Sequence, residues 1–139
     1  MKRQFVTNSV EQTEKIAQDF AASLKGGEVV LLVGEMGAGK THFVKGVARG
    51  LNISDTITSP TFVLHNQYLG RLVLNHFDFY RVDDPTEAEM LGLDEFFYDK
   101  NGVSAIEWSQ NIAYLLPENC LRVTIVKLSD NARQITIEW

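Results

Sequence analysis

The segment Gly34-Glu35-Met36-Gly37-Ala38-Gly39-Lys40-Thr41 holds residue types whose spacing suits the binding of a phosphate chain. It has the form G-x-x-x-x-G-K-T, the Walker A pattern, and fills every fixed position of it. Gly34, Gly37 and Gly39 permit positive φ values and bring backbone N–H groups close to phosphate oxygens, as does the backbone of Ala38. A helix starting near Lys40 would add unpaired N–H groups and the positive end of its dipole. Lys40 is placed to reach β- and γ-phosphates, and the Thr41 hydroxyl to bind Mg²⁺.

Such a loop needs an acid at a strand end to hold the metal or a water. Two are available. Glu107 closes the apolar run Val103–Ile106, and Asp78 lies in His76-Phe77-Asp78-Phe79-Tyr80-Arg81 near the end of another extended segment. Either could orient the attacking water. Thr61, in Ser59-Pro60-Thr61, could contact the γ-phosphate or metal, or could simply open a strand after a turn. His42, His65 and His76 have no metal-cluster spacing, and His76 reads as a satisfied or exposed side chain rather than a ligand. The acidic stretch that includes Asp83, Asp84, Glu87, Glu89, Asp94, Glu95 and Asp99 is interleaved with Met90, Leu91, Leu93, Phe96 and Phe97. It reads as a solvated helix over a core or as a surface for a partner.

These groups need elements to position them. Val29–Val33 is apolar at consecutive positions, the mark of a strand buried on both faces, and it runs straight into the loop. Phe43, Val44, Val47 and Leu51 continue at helical spacing, with Gly50 marking the end. Upstream, Phe5–Thr7 predicts a short strand. Ser9 and Gln12 have capping-box spacing, and Ile16, Ala17, Phe20, Ala21 and Leu24 predict a helix ending at Gly26-Gly27. Downstream, Thr61–Leu69 and Arg71–Phe79 predict a hairpin around Gly70. Thr86–Leu91 and Leu93–Tyr98 predict short helices, and Val103–Glu107 a strand. Leu121–Leu128 and Arg133–Trp139 predict an antiparallel pair about Ser129–Ala132. The expected fold is α/β: a P-loop-type three-layer domain over 1–139, with a mixed, mostly parallel sheet and a C-terminal antiparallel pair.

Composition sets outer bounds. The chain has 139 residues, 45% hydrophobic and 22% charged, ordinary for one globular domain. Its net charge of −5 argues against a strong direct grip on nucleic acid. The single cysteine, Cys120, reads as a structural thiol and suits a reducing compartment. The N-terminus has no apolar signal segment, and Val29–Val33 is far too short to span a membrane, so a cytoplasmic location is expected.

Taken together, the Walker A loop, Ser59-Pro60-Thr61-Phe62, His76-Phe77-Asp78-Phe79-Tyr80-Arg81, Ile106-Glu107-Trp108-Ser109 and Leu116-Pro117-Glu118 resemble the TsaE family, the ATPase component of bacterial tRNA threonylcarbamoyladenosine modification. The resemblance implies ATP at Gly37–His42, Mg²⁺ on Thr41 and Glu107, and Asp78 beside the reacting phosphate. It implies that a segment near Ser9 and a residue near Arg133 flank the adenine. It also implies docking on a TsaB–TsaD pair, with TsaD performing the transfer and this chain's hydrolysis resetting or regulating the complex. His42 stands where that family often has a second Thr. Two other functions share the same loop. A small-molecule kinase would need an arginine-rich lid, which the scattered Arg3, Arg49, Arg71, Arg81, Arg122 and Arg133 do not suggest. A nucleotide-gated binding module would need no useful turnover. The absence of an Asn-Lys-x-Asp sequence favours ATP over GTP.

Overall fold

The computed structural model describes all residues, Met1–Trp139. Seven strands form one sheet: β1 (Lys2–Thr7), β2 (Val29–Val33), β3 (His65–Tyr68), β4 (Val73–Asp78), β5 (Gly102–Glu107), β6 (Leu121–Lys127) and β7 (Arg133–Glu138). Their order across the sheet is β1-β7-β6-β2-β5-β4-β3. The four central strands β6, β2, β5 and β4 are parallel, while β1, β7 and β3 join antiparallel at the flanks. Helices α1 (Val10–Ala22) and α2 (Lys40–Gly50) cover one face. The short helix α3 (Thr86–Met90) and 3-10 segments over Leu93–Tyr98 and Ser109–Leu115 cover the other, around Phe77, Phe79, Ile106 and Ile112. The expected mixed three-layer α/β fold and the closing antiparallel pair are both present.

The apolar run Val29–Val33 becomes the central strand because its position demands it. It has a parallel neighbour on each side and a helical layer over each face, so Val29, Val30, Leu31 and Leu32 are all buried. The phosphate loop leaves the carboxyl end of this strand. β4 and β5 deliver Asp78 and Glu107 to the same end, as register partners. In open α/β sheets this is where ligands bind.

The predicted start of α1 holds, with a shift in its cap. Ser9, extended at φ −155°, accepts the Gln12 N–H through its hydroxyl at 3.1 Å. The Gln12 side chain reaches back to the Asn8 N–H, not to that of Ser9 as a strict capping box would have it (2.6 Å). The helix stops at Ala22, before Gly26-Gly27. The last turn closes locally, with the Ser23 and Leu24 N–H groups donating to Phe20 and Ala21 at 3.1 Å, and the Arg71 guanidinium adds bonds to the carbonyls of Ala21 and Leu24 at 3.0 and 2.9 Å. Thr61–Leu64 is likewise a turn where a strand was expected, because the Pro60 carbonyl accepts the N–H groups of Val63 and Leu64. The 3-10 segment Ser109–Leu115 has no forecast in the sequence.

α1 and α2 touch closely enough to exclude side chains. A Cβ at Gly46 would lie 2.6 Å from the Ala17 Cβ and inside the contact distance of the Glu14 carbonyl; one at Gly50 would lie 2.7 Å from the Ala21 Cβ. Both glycines cost helix propensity of about 1 kcal/mol each, which close packing offsets. Gly46→Ala is therefore expected to lower stability despite alanine's better propensity. Overpacking against a backbone carbonyl costs roughly 1–3 kcal/mol, and thermal unfolding should register it as a melting point lower by several degrees.

Candidate functional site

Within the loop the three glycines serve different needs. Gly37 and Gly39 adopt φ of 82° and 110°, the left-handed region where a side chain is strained. Gly34 does not; a Cβ there would lie 2.8 Å from the Ile125 carbonyl oxygen on β6. Gly39 is the N-cap of α2 and offers no side-chain cap, so the first N–H groups of the helix stay free for an acceptor. No heavy atom beyond its chain neighbours lies within 4 Å of where a Gly37 Cβ would be, so the loop is open on that side.

Lys40 is buried at 6% exposure at the start of α2. Its Nζ donates to the Gly34 carbonyl at 2.7 Å and sits 4.3 Å from the centre of the Trp108 ring. Burial pulls its ammonium below the usual lysine value, while the carboxylates of Glu107 and Asp78 pull it back. Trp108 holds a positive φ of 58°, uncommon for a bulky residue, and its ring packs at 4.8 Å against Tyr80. Glu107 and Trp108 thus turn the chain off β5 so that acid and ring both face the loop.

The two acids are held differently. Asp78 Oδ2 accepts the Thr61 hydroxyl at 2.7 Å and Oδ1 accepts the Tyr80 N–H at 2.9 Å. Thr61 also bonds to Ser59 at 2.7 Å, so the Ser59–Leu64 turn hangs on Asp78. Glu107 Oε2 is paired with His76 Nε2 at 2.7 Å, and Oε1 takes no hydrogen bond from the protein.

One cleft of about 420 Å³ brings together Gly37, Gly39, Lys40, Thr41, His42, Thr61, Asp78, Glu107 and Arg133. Trp108, Met36 and Val10 also line it. Gly34 and Ala38 back the loop from outside this cleft, and Ser9 lies in an adjoining pocket with Thr13, His42, Asn131 and Arg133. His42 is tied to Glu14, which also binds Arg49 at 2.7 Å, so the residue after the Walker threonine joins α2 to α1.

Arg133 acts through the protein. Its Nε donates to the Ala38 carbonyl at 2.8 Å, and NH1 to the carbonyls of Ser129, Asp130 and Ala132. It fastens the loop to the β6–β7 turn. Arg133→Ala should lose about 1.5–3 kcal/mol of charge-assisted bonding, which sets an upper bound of roughly ten- to hundredfold on any weakening of phosphate-ligand binding at the loop, read by calorimetric titration with a nucleotide. Lysine should restore little of it, since a single ammonium cannot reproduce the forked contacts.

The donor set suits a metal brought by a phosphate ligand. No group of three or more His, Cys, Asp or Glu side chains is placed to hold an ion alone. Thr41 and Glu107 in the same cleft offer a hydroxyl and a carboxylate oxygen, a partial set of the kind Mg²⁺ uses when phosphates supply the rest. Two contributors escaped sequence reading. Trp108 was visible beside Glu107 but gave no sign of its contact with Lys40. His76 is fully buried, satisfied at Nε2 and unpaired at Nδ1. Cys120 is half-buried, bonded to the Pro117 carbonyl at 3.2 Å, and burial raises its thiol, which suits the structural reading. No helix is long and apolar enough to cross a membrane.

The family model for "Threonylcarbamoyl adenosine biosynthesis protein TsaE" matches residues 7–135. The chain is 44% identical over 131 residues to the tRNA threonylcarbamoyladenosine biosynthesis protein TsaE of Bacillus subtilis, covering 94% of this chain and 81% of that protein. It is 41% identical over 132 residues to the protein of that name from Treponema pallidum, covering 95% and 97%. Among solved structures, the crystal structure of Bacillus subtilis YdiB superposes with a TM-score of 0.84 at 38% identity, covering 99% of this chain and 84% of that one.

Proposed function

The chain belongs to the TsaE family, and from that premise we propose that it is a slow ATPase of tRNA threonylcarbamoyladenosine biosynthesis. It binds ATP with Mg²⁺ and regulates or resets a TsaB–TsaD pair by hydrolysis, without carrying out the transfer. The observation that carries this reading is the meeting of Lys40, Asp78 and Glu107 in one cleft at the mouth of an uncapped helix start.

In this reading the free N–H groups of the loop and α2 receive the phosphates. Lys40 exchanges the Gly34 carbonyl for phosphate oxygens and steadies the charge that develops on them. Thr41 and Glu107 hold Mg²⁺, which when bound neutralises phosphate charge. Asp78 or Glu107 orients the water. Glu107 has an oxygen without a protein partner, and the Asp78 oxygens, each accepting one hydrogen bond, keep a further lone pair. Ser9, His42 and Arg133 border the base side of the cleft, Ser9 and His42 as contacts and Arg133 chiefly as the brace of the loop.

Docking on proteins is supported by the acidic segment. Ala88, Leu93 and Phe97 point into the core, yet Met90, Leu91 and Tyr98 stand exposed among the carboxylates. The kinase alternative loses ground because Arg49, Arg71 and Arg133 are each committed to groups of the protein. Arg81 stacks over Phe62 at 4.4 Å and is the one arginine within a candidate motif. Hydrolysis measured alone and with purified TsaB–TsaD tests the proposal. Low turnover rising with the pair is expected; equal rates would refute partner activation, and ATP binding indifferent to both Mg²⁺ and the pair would refute the whole reading.

A further inference from the structure

β4 and β5 run parallel with Asp78 beside Glu107 and His76 beside Ala105. Side chains alternate along a strand, so His76, Asp78, Ala105 and Glu107 all rise from one sheet face. The small Ala105 leaves room for the imidazole, which is wholly buried and does not line the cleft. A carboxylate only accepts, so the hydrogen between the two groups belongs to His76 Nε2, which donates to Glu107 Oε2 at 2.7 Å. That bond fixes one oxygen of a flexible side chain and leaves Oε1 as the one available to the cleft. The ring's other nitrogen, Nδ1, is buried with no partner. An apolar side chain would fill this space without orphaning a nitrogen, so packing alone does not account for an imidazole here.

We propose that His76 is a positioning residue, which orients the Glu107 carboxylate so that Oε1 is presented to the bound magnesium. The inference rests on the reading of Glu107 as a metal ligand and extends it to a residue that touches neither metal nor nucleotide. Groups that hydrogen-bond to a metal's ligands typically tune its affinity by 10- to 100-fold. The bond also explains why Glu107, with more rotamers than Asp78, can serve as a fixed ligand.

Binding, not turnover, gives the decisive readout. Affinity for a fluorescent ATP analogue is measured across a magnesium series for the wild type, His76→Phe, His76→Leu and His76→Gln. For the Phe and Leu variants the half-saturating Mg²⁺ concentration should rise by roughly 10- to 100-fold, while affinity without Mg²⁺ shifts by less than about twofold. His76→Gln, whose amide nitrogen falls near the place of Nε2, should return most of the loss. In a Glu107→Gln background, His76→Leu should add no further change in the magnesium requirement. An unchanged requirement in whichever apolar variants fold overturns the proposal. So does a loss of equal size with and without magnesium, or a Gln variant as poor as Leu. A wild type indifferent to Mg²⁺ overturns the metal reading itself, and this inference with it.

Discussion

Lys40→Ala is expected to reduce ATP hydrolysis by about 10²–10³-fold, the usual cost of removing one preorganised donor to transition-state charge. The geometry says why no neighbour can substitute. Lys40 is the ammonium held between Trp108 and the Gly34 carbonyl, inside the field of Asp78 and Glu107. The next basic group in the cleft, Arg133, has its Nε and NH1 bound to four carbonyls. Lys40→Arg should rescue poorly, because a planar guanidinium does not fit the slot of a compact ammonium 4.3 Å from an indole. Stability should move the other way or not at all. Burial disfavours the charge of Lys40, so alanine removes a group that is costly to bury along with one hydrogen bond. Hydrolysis assayed beside thermal unfolding separates the two: near-zero turnover with an unchanged or higher melting point is the expected pair. A melting point lower by many degrees would mean that Lys40 holds the fold, and its loss of turnover would say nothing about phosphates.

The elements legible in the sequence are those whose causes are local. Val29–Val33 and the loop after it carry their own instructions: continuous burial, glycines at fixed spacing, a helix start without a cap. Glu107 could be singled out because it ends an apolar strand. What escaped depends on residues far apart in the chain. The C-terminal carbonyls of α1 are covered by Arg71, 50 residues beyond Ala21. Arg133 braces the carbonyl of Ala38, 95 residues away, and nothing in the phosphate-loop motif tells which distant side chain will hold it. His76 reads from the sequence only as a satisfied or exposed side chain, because its partner lies 31 residues on and meets it only through the parallel register of β4 and β5. The 3-10 segment after Trp108 was invisible for a related reason. It is held by Asn111 donating to the Phe79 carbonyl at 2.8 Å, across from the end of β4. Local chemistry therefore indicated which groups suit phosphate chemistry, while the sheet decided which of them are held still.

The second large effect belongs to Glu107→Gln, and the His76 bond determines its form. A glutamine has one acceptor and one donor end, and the site asks for an acceptor at both. If the amide oxygen takes the His76 hydrogen, the NH₂ group faces the cleft and points hydrogens at any cation there. If the oxygen turns to the cleft, the NH₂ group meets Nε2, and the imidazole must move its hydrogen to Nδ1, a buried nitrogen with no partner. The first rotamer offers no ligand, and the second only a neutral oxygen in place of a carboxylate. Hydrolysis is expected to fall by about 10²–10³-fold, comparable to other losses of electrostatic stabilisation in a closed site. ATP binding in the absence of Mg²⁺ should hold or improve, because one negative charge near the phosphates is gone and the loop, Lys40 and Arg133 are intact. Asp78→Asn should behave differently. Its two oxygens accept from Thr61 and the Tyr80 amide, and an asparagine can keep both bonds: Oδ1 accepts from Tyr80, and the NH₂ group donates to the Thr61 hydroxyl once that hydroxyl turns its hydrogen to Ser59. The Ser59–Leu64 turn should therefore stay in place, with a weaker effect on the magnesium requirement. Parallel magnesium titrations of the two variants decide the assignment. A Glu107→Gln protein that keeps the wild-type magnesium requirement, beside an Asp78→Asn protein that loses it, would move the metal from β5 to β4.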